Sequence, residues 1–228
     1  MQGKISKEDF KFLKDLEKNN YREWFKDHKD RYERSFENIQ EFAKLLLSKM
    51  SNHDQLVPMT PKQSLYRIYR DTRFSKNKTP YKIHWAGGMK RDTKLLRGGY
   101  FYHIQPGNSF IAGGFWNPNS DDLKRIRKEF EMDDSYIRKI IAAPTFQKCF
   151  GELQGEGVKT APRGFDITHS AIDLIRKKQF IVVHNFTDKQ VLAKDFTDEM
   201  VTGYKAMRPF FDYMSDVLTT DLNGESIF

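Results

Sequence analysis

Hydrophobic residues recur every three or four positions along the first fifty residues of the chain. A short stripe follows Ser6, a typical helix-capping residue, and ends at Asn19-Asn20. Charged residues surround a longer stripe that contains Phe25, His28, Tyr32, Phe36, Ile39, Ala43, Leu46 and Met50. This spacing predicts a short helix followed by one long helix.

The region between positions 65 and 116 follows the period of two that is typical of β-strands. Strands are predicted over 65–69 and 83–89. The clearest signal is a hairpin over 98–116, in which two aromatic-rich runs flank Pro106-Gly107-Asn108. Gly113 and Gly114 predict a bulge or the close approach of another backbone.

Helical spacing returns after residue 118. Helices are predicted over 120–130, 134–142, 145–150, 169–178 and 197–218, and one further strand over 180–186. The order predicts an α+β fold, in which an antiparallel meander of about four to five strands packs against N- and C-terminal helices. Because the chain has no internal repeat or long linker, we expect a single domain over 1–228.

Composition narrows the class of protein. The chain has 228 residues, of which 38% are hydrophobic and 14% aromatic, which favours a globular protein. Its one cysteine, Cys149, allows no internal disulfide and is typical of a reducing compartment. Neither a signal peptide nor an apolar run of membrane-spanning length occurs, so we expect a cytoplasmic location and no membrane partner. No pattern predicts the oligomeric state.

The net charge of +8 is concentrated in one part of the sequence. Residues 62–97 contain eleven Lys and Arg and two Asp, a net charge of +9, whereas the remainder has a net charge of −1. Six of these cations lie in YRIYRDTRFSKNKTPYK, residues 66–82. A focused cluster favours a particular anionic partner over general solubility.

Strand parity sorts the side chains of this region onto two faces. The economical arrangement places five residues against the helices: Ile83, Trp85, Tyr100, Tyr102 and Ile104. The opposite face then gathers Arg67, Lys82, His84 and His103. Such cations bind phosphate or carboxylate. We therefore predict a positively charged pocket for a small anionic ligand, held by Arg67, Arg70, Arg73, Lys78 and Lys82.

Other interpretations of the same segment stay open. Arg70, Asp71 and Arg73 could form a purely structural ion-pair cluster that fixes a loop. The basic residues also alternate with Tyr66, Tyr69, Phe74 and Tyr81, a pattern compatible with stacked bases and neutralised phosphates of a nucleic acid. Because the remaining surface is slightly acidic, a small anion is favoured over a polynucleotide.

Catalysis is a further alternative, in the form of a hydrolase or transferase acting on a phosphorylated substrate. Nearby cations disfavour the protonated form of an imidazole, so His103 would be available as a general base. Asp71 could take the same role. The six histidines and Cys149 have no metal-ligand spacing. Phosphate-loop and nucleophile-elbow motifs do not occur, so we expect neither a metal nor a cofactor.

Three segments carry a resemblance to a known family. They are FLKDLEKNNYREWFKDHKDRYE (12–33), residues 66–82, and APRGFDITHSAIDLI (161–175). The second resembles R-x-x-R-D-x-R-F-S-x-x-K-x-P-Y-K, and the third resembles P-R-G-F-x-x-x-H-P with Ser170 in place of the last proline. Together they resemble domain of unknown function 2461, a family of uncharacterised bacterial and fungal proteins.

The resemblance covers nearly the whole chain and implies no particular activity. Its third motif contains Arg163 and His169, which are far in sequence from the basic segment. We expect Arg163 to join the anion-binding residues and His169 to be a third acid/base candidate.

Overall fold

The structure, a computed structural model, describes residues 3–221 and 224–227. The described residues form ten helices and four strands. The helices are α1 (Lys7–Lys18), α2 (Arg22–Asp27), α3 (Lys29–Ser51), α4 (Pro61–Ser64), α5 (Ser120–Met132), α6 (Ser135–Ala142), α7 (Pro144–Phe150), α8 (Ile172–Ile175), α9 (Asp188–Val191) and α10 (Phe196–Thr219). The strands are β1 (Trp85–Lys90), β2 (Gly99–Ile104), β3 (Ser109–Phe115) and β4 (Phe180–Phe186).

The strands form one open antiparallel sheet in the order β1-β2-β3-β4, so consecutive strands are neighbours. Helices precede and follow this meander along the chain. The predicted α+β class is therefore confirmed, with four strands. None of the helices in the described ranges has the length and apolar character needed to span a membrane.

The chain forms two compact units. The first comprises the residues up to Met89 together with Phe101–Ile111 and Asn185–Thr202. The second comprises Lys90–Tyr100, Ala112–His184 and the chain from Gly203 onward. The single domain over 1–228 stays a prediction.

In the first unit, a capping box fixes the start of α1. The Asp9 backbone N–H donates to Ser6 Oγ, and the Asp9 carboxylate accepts from the Ser6 backbone N–H in return. This carboxylate is buried and also accepts hydrogen bonds from Ser35 and Asn38 of α3. One acidic side chain therefore caps α1 and ties it to α3.

The single long helix predicted from Phe25 to Met50 is wrong, because the chain breaks at His28. His28 leaves the helical conformation, with φ −115° and ψ 25°, and separates α2 from α3. Its Nδ1 lies 2.9 Å from the Trp24 carbonyl oxygen, and the two rings stack with centroids 4.2 Å apart. The His28 side chain thus hydrogen-bonds a backbone carbonyl of α2. Such local hydrogen bonds from side chain to backbone are typical of helix ends.

Strand β2 alternates between two environments, as its sequence predicts. Tyr100, Tyr102 and Ile104 are buried, whereas the intervening residues are half-buried. In the first unit, the edge of Tyr102 meets Phe42 of α3, with ring centroids 5.7 Å apart. In the second unit, Tyr100 packs against Tyr204 of α10. The predicted inward face is confirmed at these positions and at Trp85, while Ile83 is half-buried.

Two predicted elements are shorter in the structure. The strand over 65–69 is reduced to isolated antiparallel bridges at Leu65 and Tyr69. The helix over 169–178 is reduced to α8. Before α8, the Ala171 backbone N–H donates to His169 Nδ1, and after it, the Lys178 backbone N–H donates to the Glu156 carbonyl, so neither bond is helical.

The close approach predicted at Gly114 is confirmed in the second unit. Its φ is +134°, and a Cβ at this position would lie 2.1 Å from the Phe180 carbonyl oxygen of β4. Such a distance is far inside van der Waals contact, so the backbones of β3 and β4 can pair here only if no side chain intervenes.

We expect Gly114→Ala to lower the free energy of unfolding by about 3 kcal/mol or more, because the methyl group would push the two strands apart. Gly107→Ala is the matched control, since Gly107 also has a positive φ but has open space at its Cβ position. Its cost should be about 1–2 kcal/mol, from backbone strain alone. Equal losses for both variants in urea denaturation would contradict the steric explanation.

Candidate functional site

The candidate site lies in the first unit and is built on the antiparallel pairing of residues 65–70 with residues 80–87. The Tyr66 N–H donates to the Ala86 carbonyl at 2.9 Å, and the Lys82 N–H donates to the Ile68 carbonyl at 2.7 Å. These bonds are two residues apart on the first segment and four apart on the second, so the second segment has a bulge of two extra residues after Lys82. Because two is an even number, the side chains before and after the bulge keep the same alternation between the two faces.

We define the outer face as six side chains that contact one another, together with Arg67, whose positive charge lies near Lys82. The six are Tyr66, Lys82, His84, Phe101, His103 and Phe110. The rings of His84 and His103 contact each other with centroids 4.0 Å apart and planes tilted by 32°, and His103 stacks on Phe110 at 4.9 Å. Phe101 contacts Phe110 at 5.9 Å and Tyr66 at 6.1 Å. The predicted grouping of His84 with His103 is therefore confirmed, as part of a continuous row of rings.

Two cations flank this row. The Lys82 ammonium donates to the Arg67 carbonyl at 2.9 Å and lies 5.8 Å from the centroid of the Tyr66 ring. Burial, followed by the nearby positive charge of Arg67, lowers the pKa of Lys82. In the described part of the chain, neither Arg67 nor Lys82 forms a salt bridge with a carboxylate. Among the described residues, positive charge is thus gathered here without a salt bridge to a carboxylate.

The two histidines of the outer face are held neutral. Burial is the main reason that the pKa of His84 falls from its ordinary 6.5 to about 3, and the charges of His103, Lys82 and Arg70 lower it further. Burial also lowers the pKa of His103, although the hydrogen bond of its Nε2 with Gln105 at 2.8 Å opposes that shift. Both imidazoles are therefore uncharged hydrogen-bonding groups near neutral pH.

Arg70 acts mainly inside its own loop. Its guanidinium donates to the backbone carbonyl of Thr79 at 3.2 Å and to the hydroxyl of the same residue, and it reaches the Ser75 hydroxyl at 3.5 Å. These bonds close the loop over 71–79 across its base. Arg70 is half-buried, so this bracing accounts for its position without a ligand.

Arg73 and Lys78 are likewise engaged within the loop. Two nitrogens of the Arg73 guanidinium donate to the two carboxylate oxygens of Asp71, at 3.1 and 2.7 Å. Lys78 donates to the Thr72 carbonyl at 2.9 Å and to the Arg73 carbonyl at 3.4 Å. Their hydrogen-bonding capacity toward a ligand is therefore partly used, and the hydrogen bond from Arg73 lowers the pKa of the Asp71 carboxyl.

The other end of the basic window belongs to the second unit. Arg91 is buried and bonds Asp212 at 2.5 Å, and Arg97 bonds Asp122 at 2.5 Å. Each of these guanidinium groups has a carboxylate partner, so the window 62–97 does not act as one cluster of unpaired charge.

Arg163 and His169 also lie in the second unit. Arg163 is exposed next to Gly164, whose φ is +86°. His169 is half-buried, and its Nδ1 accepts the Ala171 N–H at 3.1 Å. Their convergence with the basic segment stays a prediction. Across residues 3–221 and 224–227, no cluster of three or more His, Cys, Asp or Glu side chains is arranged to hold a metal ion.

A cleft of about 270 Å³ in the first unit is also lined by charged residues, but unlike Arg67 and Lys82 its two arginines form salt bridges with carboxylates. Its cations Arg31 and Arg34 pair with Asp15 and Asp30 at 2.7 and 2.5 Å. The buried Asp9 carboxylate in its wall is satisfied by hydrogen bonds from its neighbours. Since both cations have carboxylate partners, the outer face is the better candidate for binding an anion.

Phe110 belongs to the outer face although the sequence pattern did not predict it there. The predicted hairpin turn could have indicated this position, because the Asn108 N–H donates to the Gln105 carbonyl at 3.0 Å and fixes the register of β2 with β3. Counting back from that turn places Phe110 on the face that carries His103.

We expect acid to destabilise the protein partly through His84. The pKa of the His84 imidazole is about 6.5 in the unfolded chain and about 3 in the folded protein. Because the unfolded chain therefore binds the proton first, stability falls as the pH drops below 6.5. Between pH 6.5 and 5, the free energy of unfolding of His84→Gln should fall by about 1.5 kcal/mol less than that of the wild type. Urea denaturation measures the difference, and a His84 NMR signal titrating near pH 6.5 would contradict it.

We expect Arg70→Ala to lower the free energy of unfolding by about 2 kcal/mol, because it removes charged hydrogen bonds that close the loop over 71–79. Arg67→Ala is the matched control. Arg67 is exposed and its guanidinium has no such bonds to any described residue, so its removal should change stability by less than about 0.5 kcal/mol. Equal effects in thermal denaturation would refute the distinction between brace and free cation.

Comparison with known proteins agrees with the resemblance seen in the sequence. No curated protein and no solved structure matches the chain significantly. A family model described as "Conserved hypothetical protein (DUF2461)" matches residues 8–213, which include the whole basic segment and the outer face. The chain therefore belongs to the family of conserved hypothetical proteins that share domain of unknown function 2461.

Proposed function

We propose that the outer face binds a small anionic ligand, whose phosphate or carboxylate group lies between Arg67 and Lys82. The observation that carries this proposal is the proximity of two cations beside a row of rings, with no salt bridge from either to a carboxylate among the described residues. Like charges held close together raise each other's free energy, and the partial burial of Lys82 adds to that cost. An anion bound between them would remove that cost.

Lys82 has the capacity that such a ligand needs. An ammonium group has three N–H donors, and within the described ranges only the bond to the Arg67 carbonyl uses one of them. Arg67 adds an exposed guanidinium, whose forked donors suit two oxygens of one phosphate or carboxylate. Asp71, the acidic residue of the neighbouring loop, accepts hydrogen bonds from Arg73 at both carboxylate oxygens. The charge of Arg67 contributes less than these bonds to lowering the pKa of Asp71.

Binding is better supported than proton transfer. An imidazole whose pKa is about 3, as for His84, is a weak base at neutral pH. The Asp71 carboxylate has a lowered pKa because it bonds Arg73, which also weakens it as a base. The neutral histidines would instead offer hydrogen bonds to a ligand without changing its charge. A hydrolase or transferase therefore stays the second reading, with His103 and His169 as its candidates.

The purely structural reading accounts for Arg70, Arg73 and Lys78, whose side chains bond within the loop over 71–79. It does not account for Arg67, whose side chain has no such bond in the described ranges. We therefore assign the first three residues a supporting part, in which they hold the hairpin that presents Arg67 and Lys82.

Titration of the wild-type protein with inorganic phosphate, followed by isothermal calorimetry, tests the proposal. We expect saturable binding in the millimolar range or tighter, weakened at least about tenfold in Arg67→Ala and in Lys82→Met, since each loses one charged hydrogen-bond donor. Binding should also weaken as sodium chloride is added.

Lys76→Ala is the control for a general loss of positive charge, because Lys76 is an exposed lysine of the same loop outside the outer face. Its phosphate affinity should equal that of the wild type. The proposal fails if phosphate does not bind, or if all three variants lose the same small fraction of affinity.

A further inference from the structure

The row of rings on the outer face ends in an exposed aromatic side chain. His84, His103, Phe110 and Phe101 are half-buried, whereas Tyr66 at the end of the row is 50% exposed. Phe101 supports the Tyr66 ring with nearly parallel planes, at an interplanar angle of 29°. The hydrogen bond from the Tyr66 N–H to Ala86 fixes its backbone. Tyr66 is therefore a positioned ring with solvent-accessible area.

This ring lies next to the cations that would hold the anion. The Lys82 ammonium is 5.8 Å from the Tyr66 centroid, and Arg67 follows Tyr66 directly in the chain. An oxygen bonded to Lys82 would thus lie within one short linker of the Tyr66 ring. A bare inorganic anion would use the charges and leave the ring unused.

We infer that the ligand carries a flat aromatic ring joined to its anionic group by a short linker, as in a nucleoside monophosphate. The ring would stack on Tyr66 while the phosphate lies between Arg67 and Lys82. This inference rests on the proposed function and specifies its ligand class. Aromatic side chains accept any flat ring, so the stack selects for a ring without selecting a particular base.

The number of available cations favours one phosphate over a chain of them. Arg70, Arg73 and Lys78 are engaged within their loop, which leaves Arg67 and Lys82 as the pair on the outer face. Binding of a polynucleotide typically combines several phosphate contacts along a groove. Two adjacent cations match a single terminal phosphate.

The test compares adenosine monophosphate with ribose phosphate, which share the sugar and the phosphate and differ in the ring. Calorimetry on the wild type should give at least about tenfold tighter binding for the nucleotide. Tyr66→Ala should remove that advantage and leave the affinity for ribose phosphate unchanged. Tyr66→Phe, which keeps the ring, should retain it.

The controls separate this inference from the proposed function. Equal binding of both probes to the wild type, still dependent on Arg67, would overturn the ring-bearing ligand and leave the anion site standing. Binding of neither probe would overturn both. Unchanged melting temperatures of the Tyr66 variants would exclude misfolding as the cause of a lost affinity.

Phe74 provides the matched aromatic control, since it is 96% exposed on the loop over 71–79 and the Arg73 guanidinium lies 5.9 Å from its ring centroid. Phe74→Ala should bind adenosine monophosphate as the wild type does. If a short oligothymidylate binds far more tightly than the mononucleotide, with a steep salt dependence and with a loss in Phe74→Ala, the ligand is a single-stranded nucleic acid and the inference is wrong.

Discussion

The antiparallel pairing of residues 65–70 with residues 80–87 determines the chemistry of the outer face. Backbone hydrogen bonds at Tyr66, Lys82 and Arg70 hold the two segments in register, and the bulge between them keeps the alternation of side chains intact. A slip of one residue would turn the lysine toward the core and Trp85 toward water. The position of each cation is thus set by backbone geometry before any charge interaction contributes.

That geometry divides residues of the same charge into different roles. Arg70 has its guanidinium inside the hairpin loop, where carbonyl and hydroxyl oxygens compensate its charge. Arg91, which has the same side chain and lies 21 residues further along the chain, is buried in the second unit against Asp212. Arg67 lies near Lys82 and has neither kind of partner among the described residues. The basic stretch is therefore one feature in the sequence and several in the folded molecule.

Periodicity predicted the parts of this arrangement that depend on local repetition. The parity of β2 gave the inward position of Tyr102 and the outward position of His103, because each strand residue alternates whatever its neighbours are. It could not give the break at His28, since that residue keeps the helical stripe in phase while its side chain competes for a backbone carbonyl. The brace formed by Arg70 was equally invisible, because it depends on the path of a loop with no period.

The neutral histidines explain how such a face can concentrate positive charge and still be half-buried. Burial is the main cause of the low pKa of His84, and repulsion from Lys82 adds to it, so a charged imidazole here would be costly. The neutral rings of His84 and His103 contact each other and extend the apolar surface toward Phe110. An anion approaching from solvent would meet the two cations and the Tyr66 ring together, which is the physical basis of our proposal that the ligand has both features.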